Sequence, residues 1–129
     1  MHVKEIMKSV KTLKGDISLK EAAKFMADNS ISCVLIVDGD ELKGIVTERD
    51  VLKQVSKDVS VLKKPVKDVM STEIITISAD SYIDDAAELM TKYKIKKLPV
   101  LDKGNLVGII TSTDLVSNAG DFNEFSLFG

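Results

Sequence analysis

The sequence predicts a mixed α/β fold (α+β) in which two tandem β-α-β-β-α units pack with pseudo-twofold symmetry. Three observations lead there: an ungapped internal repeat, apolar periodicities recurring in the same order in both copies, and turn signals at matching places. Val10–Val55 falls onto Ile74–Ala119 at a displacement of 64, keeping Thr12/Thr76, Asp16/Asp80, Ala22-Ala23/Ala86-Ala87, Met26/Met90 and Ile31/Ile95. Further on, Asp38/Asp102, Leu42/Leu106, Gly44-Ile45/Gly108-Ile109, Thr47/Thr111 and Asp50/Asp114 are also identical. Most other apolar positions exchange only Val, Ile and Leu, the mark of a duplication.

Each copy opens with a short amphipathic lead, Val3–Met7 and Val66–Met70. A short β-type stretch is expected next, Val10–Leu13 and Ile74–Ile77. A helix follows, with Ser18-Leu19-Lys20-Glu21 and Ser81-Tyr82-Ile83-Asp84 as start signals. Its apolar residues (Leu19, Ala22, Ala23 and Met26; Ile83, Ala86, Ala87 and Met90) fall at helical spacing and predict one narrow buried face. Two β runs then form hairpins: Val34–Val37 with Leu42–Val46 around Asp38–Glu41, and Leu98–Leu101 with Leu106–Ile110 around Asp102–Asn105. The strand-helix-strand step is expected to cross over right-handed. A last helix starts at each Thr, with Val51, Leu52 and Val55 apolar in one copy and Leu115, Val116 and Ala119 in the other. These elements place the first repeat at 3–58, a linker at 59–65, the second repeat at 66–122 and a C-terminal tail at 123–129. The polar, Lys-bearing stretch Ser56–Lys64 reads as a connector stopped by Pro65.

The totals fit a soluble globular protein: 44% apolar, 29% charged, and a formal net charge of -2. That charge excludes nonspecific wrapping of nucleic acid, and no apolar stretch approaches a membrane span. Cys33 is the single cysteine and reads as a small core residue, so no intrachain disulfide can form and the cytoplasm is expected.

The chemistry concentrates in Gly44-Ile45-Val46-Thr47-Glu48-Arg49-Asp50 and its near-copy Gly108-Ile109-Ile110-Thr111-Ser112-Thr113-Asp114. Each reads as a buried strand end, a turn at Thr, and a helix whose N-terminal N–H groups suit an anion. Thr-x-x-Asp is equally a helix-capping arrangement, and one cap can serve both ends. No Cys/His metal spacing, P-loop or dinucleotide fingerprint occurs, so an enzyme is disfavoured and no cofactor is required.

The duplicated unit, with Gly-apolar-x-Thr-x-x-Asp closing each copy, a lead ending in Met, and Leu98-Pro99-Val100, resembles the cystathionine-β-synthase (CBS) domain family over nearly the whole chain. Such a tandem pair implies a regulatory module that holds an adenosine-containing ligand (AMP, ADP, ATP or S-adenosylmethionine) in clefts between the repeats and signals to a partner protein. The resemblance implies that Asp50 and Asp114 grip ribose hydroxyls and that Thr47 and Thr111 bond phosphate or sugar. Backbone near Ile75-Thr76 and Leu98-Pro99 would read the base. In several members a basic pair before the apolar-Pro-Val strand contacts phosphate; here it is Lys96-Lys97, while the first copy has Ser32-Cys33 there and Leu35 in place of Pro99. Lys96-Lys97 read alone is a solvated face. Arg49 stands where the second copy has Thr113, so the two sites are expected to be unequal, with Asp114 favoured. Asp114 is expected at the rim, so that Asp114→Ala removes binding with little loss of fold and Asp114→Asn keeps part of it. Self-association into a homodimer is expected, and a ligand-free dimerisation module is the alternative. The regulated protein is unknown, and no direct contact with nucleic acid or membrane is expected.

Overall fold

The computed structural model describes residues 1–118. The tail and Ala119 lie outside the described residues. Five helices and six strands run in the order α1 (Val3–Ile6), β1 (Thr12–Lys14), α2 (Leu19–Asp28), β2 (Cys33–Asp38), β3 (Glu41–Thr47), α3 (Glu48–Lys57), β4 (Ile77–Ser78), α4 (Ile83–Tyr93), β5 (Lys97–Asp102), β6 (Asn105–Thr111) and α5 (Ser112–Ser117). Two 3₁₀ turns, Val59–Lys63 and Val66–Asp68, lie between α3 and β4. The chain divides into two compact units, Lys11–Ile74 and a second that joins Met1–Val10 to Ile75 onward. Each lead therefore packs away from the repeat it precedes in the sequence.

Both units hold a three-stranded sheet of one design. In β1-β2-β3 and in β4-β5-β6 the first pair is parallel and the second antiparallel. Registers match as well, with Leu35 opposite Ile45 and Pro99 opposite Ile109, and one bulge at the same place in each hairpin. The first β stretches begin later than expected. Thr12 is in β1, opposite Leu35, whereas its counterpart Thr76 stays outside β4. Pro99 stands where the first copy has Leu35, and a proline has no N–H for a sheet ladder.

The helical spacing of α2 and α4 is realised as a core face. Leu19, Ala22 and Met26 join Val34, Ile36 and Val46 in one core, and Ala86 and Met90 join Leu98, Val100 and Ile110 in the other. The second alanine of each pair differs from expectation: Ala23 is half-buried and Ala87 exposed, while Phe25 and Leu89, on the opposite flank of the stripe, pack against the cores. Both leads supply a fully buried valine, Val3 and Val66. The stretch expected as a plain connector is structured, because Val61 turns into the core of its unit and Leu62 packs beside it.

The start signal of α2 holds, with Ser18 Oγ accepting the Glu21 N–H at 3.1 Å. In α4 the cap is one residue later than expected: Tyr82 occupies it, and the Asp85 carboxylate takes the Tyr82 N–H at 3.1 Å. Ser18→Ala should therefore cost about 1 kcal/mol. Ser81→Ala should stay within roughly 0.5 kcal/mol, both variants being read by urea unfolding. Lys94 ends α4 in the left-handed region, φ 54 and ψ 46. A glycine meets no Cβ penalty there, so Lys94→Gly should stabilise by about 1 kcal/mol and raise the melting temperature.

Candidate functional site

Each closing motif is built at a strand end that becomes a helix without an intervening loop. Thr47 is the last residue of β3 and the N-cap of α3; Thr111 has the same two roles for β6 and α5. The extended backbone of a cap residue, φ -108 and -119 here, points its hydroxyl along the new helix. Thr47 Oγ1 accepts the Asp50 N–H at 3.1 Å, and Asp50 Oδ2 accepts the Thr47 N–H at 2.9 Å. In the other unit the two distances are 3.2 and 2.8 Å. The capping reading and the repeat are thus realised together. The first N–H of each helix is also taken: Glu48 donates to the Ser32 carbonyl and Ser112 to the Lys96 carbonyl, both at 2.9 Å. Less of either helix terminus is left for an anion than the sequence suggests.

The two carboxylates differ in their surroundings. Asp50 is half-buried and, among the described residues, in no ion pair. Asp114 is 2% exposed, which corrects the expectation of a rim position. Its Oδ1 lies 2.9 Å from Lys8 Nζ, an ammonium whose side chain is 70% exposed. Burial pushes the Asp114 carboxyl up, but the Lys8 hydrogen bond, the Thr111 N–H and hydroxyl, and the Lys8 charge together hold it below the ordinary 3.8. The side chain expected to hold a ribose is paired with a lysine here.

Lys8 was not among the residues singled out from the sequence. It follows Met7 at the end of the first lead, and Ser71 follows Met70 at the end of the second. Lys8 exchanges backbone hydrogen bonds with Ile109, each 2.9 Å, and Ser71 exchanges the same pair with Ile45. Gly108 permits this approach: a Cβ there would stand 2.8 Å from the Lys8 carbonyl oxygen. The lead comparison places Lys8 and Ser71 at equivalent positions, but nothing local in the sequence links Lys8 to Asp114.

The remaining expected residues fall in two places. Ile75 and Thr76 are half-buried with no regular structure, while Leu98 and Pro99 are buried in β5. Lys96 is exposed and Lys97 half-buried, across from Thr111 in the hairpin register. These residues belong to the same unit as Thr111 and Asp114; Thr47, Asp50 and the exposed Arg49 belong to the other. Two cavities in the Lys11–Ile74 unit involve none of them. One, about 450 Å³, lies between α2 and α3; the other, about 620 Å³, lies at the hairpin end near Gly15, Gly39 and Lys67. Among the described residues no cluster of three or more His, Cys, Asp or Glu is placed to hold a metal, and no helix is long and apolar enough to cross a membrane.

Residues 3–57 and 66–121 each match the CBS domain. The chain is 33% identical over 117 residues to the CBS domain-containing protein YhcV of Bacillus subtilis, covering 90% of this chain and 84% of that one. A putative acetoin utilization protein (AcuB) from Vibrio cholerae shares the fold with a TM-score of 0.83 and 33% identity, over 100% of this chain and 97% of that one. The CBS domain pair of protein MJ0100, solved with 5′-methylthioadenosine and S-adenosyl-L-methionine, superposes with a TM-score of 0.76 and 33% identity, over 94% and 97% of the two chains. Two repeats, one sheet design in each, and these likenesses make the chain a member of the CBS domain family.

Proposed function

We propose that this chain is a regulatory module of the cytoplasm that binds an adenosine-containing small molecule, AMP, ADP, ATP or an S-adenosyl compound, and reports its presence to a partner protein. The observation that carries the reading is the Thr-x-x-Asp capping box built twice at a strand-helix junction, each placing a carboxylate in the first turn of a helix. A carboxylate accepts two hydrogen bonds from the vicinal hydroxyls of a ribose. Ile75 and Thr76, outside the sheet, have backbone groups available to a base edge beside the apolar Leu98 and Pro99. Lys96, Lys97 and Arg49 are the candidate phosphate contacts. MJ0100, a relative in fold and family, was solved with two adenosyl compounds. The protein acts by binding, not turnover: ligand favours one arrangement of the chain, and that preference is the signal.

A thermal-shift panel of AMP, ADP, ATP, S-adenosylmethionine and 5′-methylthioadenosine tests this. Ligand at a hundredfold over its Kd should stabilise by about 2.7 kcal/mol, a rise of several degrees. A flat panel contradicts the reading.

The second reading, a ligand-free dimerisation module, draws on Leu52 and Val116, equivalent positions of α3 and α5 that are 70% and 75% exposed. Both readings predict a homodimer by sedimentation. Only the first predicts a nucleotide response.

A further inference from the structure

We propose that Lys8 is a tethered occupant of the Asp114 carboxylate, which makes the two repeats unequal and leaves Asp50 as the carboxylate that receives ligand. The inference rests on the adenosine-binding reading and names the site. Its basis is a comparison of two equivalent places in one chain. Both carry the same reciprocal Thr-Asp hydrogen bonds, the same strand-to-helix junction and the same reciprocal backbone pair between the lead and the last strand. They differ in the side chain that the lead presents. Lys8 carries an ammonium at 2.9 Å from Asp114 Oδ1, whereas Ser71, its equivalent, is short and uncharged. Burial follows the same division, with Asp114 closed off at 2% exposure and Asp50 half-buried.

Both carboxylates already give one oxygen to a backbone N–H; at Asp114 the other oxygen is engaged by an ammonium as well, so a diol meets a competing donor there that it does not meet at Asp50. A ligand would have to displace a charge-assisted bond held at the high effective concentration of a residue fixed by its own backbone. Lys8 is held there by the two hydrogen bonds to Ile109. Its stem leads outward to solvent, so shortening it leaves no hole in the core.

The experiment is titration calorimetry of the full chain with AMP, on the parent, Lys8→Ser, Lys8→Arg, Asp50→Ala and the double variant Lys8→Ser/Asp114→Asn. The expected result is one site per chain in the parent, weakened at least tenfold in Asp50→Ala. Lys8→Ser should show a second site that Lys8→Arg does not, and the double variant should weaken that second site again. Carboxyl NMR should show the Asp114 pKa rising in Lys8→Ser, a direct readout of the lost ammonium. Two equal sites in the parent, or the same stoichiometry in parent and Lys8→Ser, overturns the proposal while leaving adenosine binding intact. AMP binding in none of the proteins overturns the proposal, and a flat thermal-shift panel beside it overturns the adenosine reading as well.

Discussion

Asp114→Ala is expected to lower the stability of the fold by about 2 kcal/mol, measured by urea unfolding. The methyl group leaves the part-buried Thr111 N–H without its acceptor, and a donor shielded from water without a partner costs roughly 1–3 kcal/mol. The cap bond itself survives, because the N–H that Thr111 Oγ1 accepts is the backbone N–H of residue 114. No charge is stranded by the change, because Lys8 is 70% exposed and its ammonium is solvated once the carboxylate is gone. Asp50→Ala removes the equivalent carboxylate bond to the Thr47 N–H from a half-buried site open to water, so its cost should be nearer 1 kcal/mol. A larger loss for Asp50→Ala than for Asp114→Ala would contradict the burial difference between them. Asp114→Asn keeps an acceptor for Thr111 and should sit between the parent and Asp114→Ala.

Acid sharpens the same comparison. The Asp114 carboxyl in the folded chain is held below 3.8, its ordinary value. Its contribution is therefore complete above the unfolded pKa of about 3.9 and is lost as pH falls through the lower folded value. In Asp114→Asn that part of the acid slope should disappear between pH 5 and pH 2. An unchanged slope would show that the Lys8 pair does not bias the titration.

Gly108→Ala is the second large effect expected, a loss of about 1–3 kcal/mol from overpacking. The added Cβ would meet the Lys8 carbonyl oxygen at 2.8 Å and Met7 Sδ at 3.0 Å. A backbone oxygen cannot rotate away, so the lead must shift, and with it the reciprocal bonds between Lys8 and Ile109. Gly44→Ala is the control in the other unit. Its Cβ would meet mainly Met70 Sδ and Cγ, atoms of a flexible side chain that can turn aside, with Met70 Cβ at 3.0 Å. The lead in the unit of Gly108 should loosen more, read as faster hydrogen exchange at the Lys8 and Ile109 amides than at Ser71 and Ile45 in Gly44→Ala. Equal effects in the two variants would mean that backbone approach is not what demands glycine at 108.

The parts of this molecule that were legible in the sequence are the local ones. Thr and Asp three apart at the head of a helix write their own hydrogen bonds, and both boxes formed. Gly39 at φ 62, and Lys103-Gly104 at φ 51 and 85, turn the hairpins where Asp-Gly and Lys-Gly-Asn mark them. What was hidden depends on contacts distant in sequence. The spacing of Leu19, Ala22, Ala23 and Met26 shows a helical stripe but not its edge, which Phe25 and its neighbours decide. Pro99 carries the reason β4 is shorter than β1, yet only the strand order reveals what lies opposite it. The burial of Asp114 and its hold on Lys8 join the lead to the last described helix, and no periodicity connects those two positions.

The most direct test of the account is a crystal structure of the full chain with AMP. The ribose hydroxyls are expected within hydrogen-bond distance of the carboxylate in a Thr-x-x-Asp box, with the Asp50 box filled first. AMP seated away from both boxes, or both left empty at saturating AMP, would contradict it.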